Sequence, residues 1–503
     1  MLRGASFTGG GYILAQALNL GAWIVLSRLL SPSEVGAYAA ATVLIGFGVL
    51  ITESGMQSAL IQRSDRIEEA QSTAVIACFS GGLLAGLAGL AAAPLLGLFF
   101  HSGEIAALAA ASSGVILVMV MAVVPNSILQ RRFSFVRLLI VDPLEVVAFA
   151  IASIVAAAND LGPWSLVIGQ YAQMGTGLVL SWSLVRWRPR LRLASMEMWR
   201  ELVAYGRHIF VSTSILRLGE YAADSLIIGR GLGTSALGQY RYAFRVASLP
   251  FYALLAGAAY VIFPAFARIA GDAERLRRAF MTSLRWMAAV AFPAGLILIP
   301  LGPPLVVTVF GDVWSPAGDA VMAMSLYAGA SAISSAVSEL VKARGFPRPL
   351  IAMHSVTAGA TAIGMLALLP FGLTAAAGGL SIGAVVGGGY ALRVANREAG
   401  IGIREMLAEI WPPVLAGLLM AACLLPLDRL VVEPAENGEL VALLLLAGEA
   451  VVGAVIYLAA LRVLAPHTPR EVISTLLRRT PPPQDPDPDL LPPDPGGFEA
   501  TRP

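Results

Sequence analysis

The sequence predicts an all-α integral membrane protein of about fourteen transmembrane helices. Three observations predict it: a composition too apolar for a water-facing surface, apolar runs of spanning length almost end to end, and basic residues gathered in alternate connections. Hydrophobic residues make up 57% of the 503 and charged residues 13%, with a mean hydropathy of +0.76, whereas a soluble domain carries roughly a quarter of its residues charged. Such a chain cannot cover itself for water. No charged, loop-rich block of domain size interrupts the apolar runs, so one membrane domain with a tail is expected.

A helix crosses the roughly 30 Å hydrocarbon layer with about 20 residues. Runs of that length, bounded by charge or by Gly, Pro and Asn clusters, lie at 6–28, 35–61, 72–99, 105–129, 138–158, 162–185, 208–229, 243–266, 287–310, 318–341, 349–369, 373–392, 411–427 and 439–461. The first exceeds a signal-peptide core and lacks a small-residue cleavage site, so it is expected to remain as a span. The run 35–61 is interrupted by Glu53, and 208–229 carries three charges.

Short cytoplasmic connections are rich in Lys and Arg, and exported ones are poor. With the N-terminus in the cytoplasm, inner segments hold Arg63 and Arg66, then Arg131, Arg132 and Arg137, then Arg186, Arg188, Arg190, Arg192, Arg200 and Arg207, and the alternation continues to the C-terminus. Outer segments hold only Arg28, Arg230, Arg241 and Arg429, and the turns at 101–104, 158–162, 311–319 and 370–373 carry no basic residue. Both termini are therefore expected on the cytoplasmic side of a bacterial inner membrane. The net charge of +2 gives no sign of a nucleic-acid partner. Cys78 and Cys423 fall inside apolar runs and are expected as buried thiols. From Pro466 the chain is rich in Pro and Asp and reads as a disordered cytoplasmic tail.

An internal repeat is the most specific signal. Arg28-Leu-Leu-Ser-Pro-Ser-Glu-Val-Gly-Ala-Tyr38 aligns with Arg230-Gly-Leu-Gly-Thr-Ser-Ala-Leu-Gly-Gln-Tyr240, with identities at Arg28/Arg230, Leu30/Leu232, Ser33/Ser235, Gly36/Gly238, Tyr38/Tyr240 and Ala41/Ala243. Ordinary residue frequencies would give roughly one identity over such a window. Each copy closes the first helix of a six-helix block, so two pseudo-symmetric lobes are expected, 1–207 and 208–410, with two added helices in 411–465 and the tail from 466. An even number of spans per copy inserts both the same way up, placing a pathway between the lobes.

These motifs, together with Glu53-Ser-Gly-Met-Gln-Ser-Ala-Leu-Ile-Gln-Arg63 and Asp224-Ser-Leu-Ile-Ile-Gly-Arg230, resemble the polysaccharide-transport branch of the MOP flippase superfamily. The chain is similar to Wzx-type exporters of lipid-linked oligosaccharide repeat units over roughly residues 1–460. Glu53 stands where an Asp would be expected, a departure that keeps the charge. The resemblance implies passage of an undecaprenyl-pyrophosphate-linked oligosaccharide from inner to outer leaflet by alternating access. It also implies membrane lipids and a polysaccharide polymerase as partners, no cofactor and no enzymatic step.

Charges within spans are costly and mark pathways or internal partners. Arg217, Glu220 and Asp224, at i, i+3 and i+7, share one helical face. They are read either as a cavity stripe, with Arg217 on pyrophosphate and an acid for a coupling cation, or as an ion-paired packing stripe. Arg241 and Arg245, at the expected start of a helix, form a candidate phosphate site suited to guanidinium geometry, with headgroup snorkelling an equal account of Arg241. Glu53 is a further candidate acid, and Glu339 and Lys342 are spaced to pair with each other. Tyr38, Tyr240 and Trp164 fall at expected interfaces and read as aromatic-belt residues. His101, His208, His354 and His467 are dispersed, and no metal site is expected.

Two competing functions predict other features. A multidrug or cation-coupled exporter of the same superfamily predicts twelve spans. An integral membrane polysaccharide polymerase predicts a large catalytic outer loop, where the sequence offers only short connections.

Overall fold

The computed structural model describes residues 2–46, 56–63, 65–131, 140–204, 223–269, 271–344, 348–427 and 438–465, and its regular structure is helical throughout the described residues. The segment from 466 and most of the 208–229 run lie outside them. The first half contains α1 (Leu2–Leu29), α2 (Pro32–Ala41), α3 (Met56–Gln62), α4 (Ile67–Phe100), α5 (Gly103–Met121), α6 (Val123–Arg131), α7 (Asp142–Ala158) and α8 (Trp164–Val185). The remainder contains α9 (Ala223–Arg268), α10 (Ala273–Leu296), α11 (Leu298–Phe310), α12 (Ser315–Ala323), α13 (Tyr327–Ala343), α14 (Arg348–Leu368), α15 (Leu373–Ala399), α16 (Ile403–Leu427) and α17 (Glu439–Leu464).

Local chemistry sets the boundaries. Ser31 caps α2 through a capping box: its hydroxyl accepts the Glu34 amide at 3.4 Å and the Glu34 carboxylate accepts the Ser31 amide at 2.7 Å, with Pro32 preset for the first turn. Ser102 caps α5 by accepting the Ile105 amide, and Asp272 caps α10 by accepting the Arg275 amide. In the second motif copy, Gly233 (φ +90) breaks α9 into two segments, a conformation L side chains rarely adopt. Ser31 and Gly233 hold the same place in the repeat, so both copies form helix, break and helix in one register. The break lies ten residues before the expected start at 243, so Arg241 and Arg245 stand two to three turns inside a helix.

Among the described residues, six helices are long and apolar enough to cross a membrane, or eight if two bent pairs each count as one span. These pairs are α10 with α11, bent by 53°, and the segment 312–323 with α13, bent by 48°. Of the other expected runs, α7 is short at 17 residues and α9 carries Asp224, Arg230, Arg241 and Arg245, while parts of 35–61 and 208–229 lie outside the described residues.

Polarity is arranged for lipid. Leu84, Leu95 and Leu98 of α4 and Leu444, Val455 and Val463 of α17 face outward, while Ser72, Ser112, Ser113, Ser127, Ser153, Ser165 and Ser181 are buried between helices. Cys78 is buried, but Cys423 is exposed on α16, because the face of α16 that packs inward carries Met420, Ala421 and Leu424 instead.

Buried apolar side chains form three clusters. One joins both halves through Trp23, Leu26, Val35, Tyr240, Tyr242, Phe310 and Trp314. The second is drawn from residues after 250, and the third from residues 56–202. The halves therefore share a core at one end and keep separate cores at the other. The shared end is marked by the turns expected to lack Lys and Arg: Phe100 abuts Gly229, Leu369 abuts Gly231, Glu34 abuts Gly162 and Arg28 abuts Gly311. At the opposite end, Arg63 pairs with Glu201 at 2.6 Å and Arg190 with Glu68 at 2.9 Å. Arg285 there reaches Glu409 at 2.8 Å.

Candidate functional site

The two motif copies meet backbone to backbone. A Cβ on Gly36 would overlap the Thr234 carbonyl and fall 2.9 Å from the Gly238 nitrogen; a Cβ on Gly238 would overlap the Pro32 carbonyl and fall 3.1 Å from the Gly36 nitrogen. Only glycine at both places allows this approach, the small-residue packing that lets membrane helices close on each other.

Aromatic rings fill the space beside this seam. Tyr242 sits 3.8 Å, centroid to centroid, from Trp314 and meets Trp23 edge-on at 5.9 Å, donating its hydroxyl to the Trp23 carbonyl at 3.1 Å. Trp314 Nε1 donates to the Ser27 carbonyl at 2.9 Å. The Gln239 side chain donates to the Val313 carbonyl at 2.7 Å and accepts the Ala317 amide at 3.1 Å. Tyr38 donates to Gln170 Oε1 at 2.8 Å. With their polar atoms satisfied, these side chains fix the seam rather than leave groups to bind a ligand.

The expected site residues divide into three groups. Glu53, Arg217 and Glu220 lie outside the described residues. Asp224 and Arg241 form an ion pair across the α9 break, Arg241 Nη2 lying 3.4 Å from Asp224 Oδ1, with side chains 4% and 20% exposed respectively. Arg241 also donates to the Ser225 hydroxyl, and the Ser225 amide donates to Asp224 Oδ1 at 2.6 Å. Arg241, expected as a phosphate ligand or a snorkelling headgroup contact, is thus partnered by Asp224, because the break folds the first segment of α9 back on the second. Tyr240 is fully buried, not in an aromatic belt, whereas Trp164 is exposed. Glu339 and Lys342 pair with each other at 2.8 Å.

Arg245 stands apart from this pairing. One turn beyond Arg241, it donates Nη1 to Asn19 Oδ1 at 3.0 Å, and its guanidinium carbon lies 3.9 Å above the centroid of the Trp23 ring. Among the described residues no carboxylate lies within ion-pair distance of it. A guanidinium offers five donors, so most of its hydrogen-bonding capacity remains for another partner. The Trp23 face supplies partial compensation, about 0.5–2 kcal/mol for a cation over an aromatic ring. Asn19 and Trp23, four apart on α1, were missed in the sequence; a lone amide one turn before a Trp inside an apolar run was the available signal. The chemistry available is capture of an anion between the halves by a cation in low-dielectric surroundings. Among the described residues no group of His, Cys, Asp and Glu could hold a metal ion.

Residues 25–319 match the family model described as polysaccharide biosynthesis protein. Similar proteins include the succinoglycan biosynthesis transport protein ExoT of Rhizobium meliloti (strain 1021), 27% identical over 58% of this chain and 58% of that one. The lipopolysaccharide biosynthesis protein WzxC of Escherichia coli (strain K12) is 24% identical over 62% and 64%. The chain thus spans about three fifths of the length of the curated relatives it matches. Among solved structures, the lipid II flippase MurJ in an inward closed conformation aligns over 93% of this chain and 99% of its own, with a TM-score of 0.74 at 15% identity. An inward-facing multidrug resistance MATE family transporter of the MOP superfamily aligns over 81% and 96%, with a TM-score of 0.56 at 17% identity. At these identities the likeness is one of fold.

Proposed function

The chain belongs to the polysaccharide biosynthesis protein family, and on that premise we propose that it translocates an oligosaccharide linked to a lipid pyrophosphate from the inner to the outer leaflet. The observation that carries this reading is Arg245, a cation held against neutral groups of the opposite half beside the Gly36–Gly238 seam. A pyrophosphate is the anion such a guanidinium suits, since it accepts the fork of donors in plane.

In this reading the chain makes fourteen crossings with both termini in the cytoplasm, bent and broken helices counting as crossings. Two six-helix lobes, 1–207 and 208–410, rock about the seam, and 411–465 adds two helices. The seam closes the outer end, while the separate cores at the arginine-rich end leave the halves apart for loading from inside. Arg245 and Arg217 contact the substrate anion, Arg241 is neutralised by Asp224, and Glu220 or Glu53 holds a coupling cation. The product then passes to polymerisation on the far side. ExoT is described as a transport protein and MurJ as a flippase, in keeping with this reading, and no catalytic step is assigned.

The test is polysaccharide output, with membrane protein level measured alongside, in cells whose only copy carries Arg245→Ala or Arg245→Lys. The alanine variant is expected to abolish output at normal abundance and the lysine variant to restore part of it. Full output from Arg245→Ala would remove this residue from translocation.

A further inference from the structure

At the arginine-rich end of the first half, away from the seam, lies a cavity of about 320 Å³ lined by Ile67, Glu68 and Gln71 of α4, Ile128 and Arg131 of α6, and Trp187. Its size falls within the roughly 300–1,000 Å³ of small-molecule sites. Gln71 is only 8% exposed, and its amide makes no hydrogen bond to any described residue. Its polar atoms stay open to the cavity, where a ligand or water can reach them.

The rest of the lining is held in place. Trp187 stacks on Trp182, ring centroids 6.2 Å apart and planes 17° from parallel. Trp182 in turn donates to the Met121 carbonyl at 3.3 Å. Arg131 spends Nη1 on the carbonyls of Leu60, at 3.1 Å, and Arg63. Glu68 is paired with Arg190 at 2.9 Å, and the Arg190 amide is clipped to the Ser72 hydroxyl at 3.2 Å. One carboxylate and one guanidinium give the lining no net charge. That balance favours a neutral ligand over an anion.

The geometry points to a binding site for a neutral sugar ring, separate from the seam site and independent of the translocation reading. A pyranose has a face of C–H groups and a rim of hydroxyls. The face suits Trp187, Ile67 and Ile128; the rim suits an amide that both donates and accepts, a carboxylate that accepts and a guanidinium that donates. Trp187 stands where α8 ends and α4 begins, the level at which a span meets the headgroups. A sugar carried on a membrane lipid would meet the cavity there.

The test uses the full chain in lipid nanodiscs, with methyl β-D-glucopyranoside and methyl β-D-galactopyranoside as probes and inorganic phosphate as the contrasting ligand. Saturation-transfer NMR is expected to show transfer to ring protons of at least one glycoside at millimolar concentration. Gln71→Leu and Trp187→Ala should each weaken that binding about tenfold, the loss of one buried hydrogen bond or one ring face. A diazirine-bearing methyl glycoside applied to the unaltered protein should label peptides containing Gln71 or Trp187, a readout that needs no variant to fold. Absence of transfer from both glycosides, labelling confined to other peptides, or binding of phosphate that disappears in Arg131→Gln would each overturn the assignment.

Discussion

Gly36 and Gly238, equivalent residues of the two motif copies, press their backbones together so that each occupies the space a Cβ on the other's helix would need. The contact is reciprocal. Gly36 meets the Thr234 carbonyl, and Gly238 meets the Pro32 carbonyl, at positions equivalent to one another within the repeat. The repeat is therefore a joint between halves as well as a sequence pattern.

A branched side chain at either glycine should pry the joint open. Gly36→Val and Gly238→Val are each expected to cost about 1–3 kcal/mol of overpacking, and their combined effect should fall short of additive because the first already separates the helices. Ala40, fully buried beside the joint, supplies the readout. A Cys placed there should react with N-ethylmaleimide in the valine backgrounds and resist it otherwise; equal reactivity in both would contradict closure by the glycines.

The pair between Asp224 and Arg241 is expected to act on packing rather than transport. Breaking one partner of a buried pair costs about 3–5 kcal/mol, and the 20% exposure of Arg241 places the effect toward the lower end. Asp224→Asn should lower membrane abundance, and Asp224→Asn with Arg241→Gln should recover most of it. Normal abundance with lost export in the single variant would return Asp224 to the coupling machinery.

How far the sequence carried these conclusions differs by residue. The motif at 28–41 and 230–243 was legible because one offset preserves Arg28/Arg230, Gly36/Gly238 and Tyr38/Tyr240 together. The turns without Lys or Arg were legible because apolar runs end there. The pairing of Asp224 with Arg241 was not, since it depends on the turn at Gly233, and a span expected to start at 243 hid that turn. Tyr240 looked interfacial because it stands just before the span expected to start at 243, yet it is fully buried. Asn19 and Trp23 escaped notice because their significance arises only when α9 brings Arg245 across to them.

The orientation proposed here predicts that residues 186–204 face the cytoplasm, where Arg63 and Arg66 share Glu201, Arg66 also reaches Glu197, and Arg190 pairs separately with Glu68. A membrane-impermeant maleimide should fail to label a Cys introduced at Arg192 in intact cells and should label it in inverted vesicles. The reverse pattern would invert the topology and exchange the loading and release sides.

The central claim is that the unpaired charge of Arg245 recognises the anion of the translocated lipid. Its most direct measurement is leaflet transfer of a fluorescent pyrophosphate-linked oligosaccharide in proteoliposomes containing the purified chain, Arg245→Ala or Arg245→Lys, with a headgroup-neutral glycolipid as control. The account predicts transfer of the pyrophosphate lipid by the unaltered chain, loss of at least tenfold in the alanine variant, the expected penalty for removing about 1.4 kcal/mol or more of charge-assisted binding, and partial retention with lysine. Equal transfer by the unaltered chain and Arg245→Ala would contradict it.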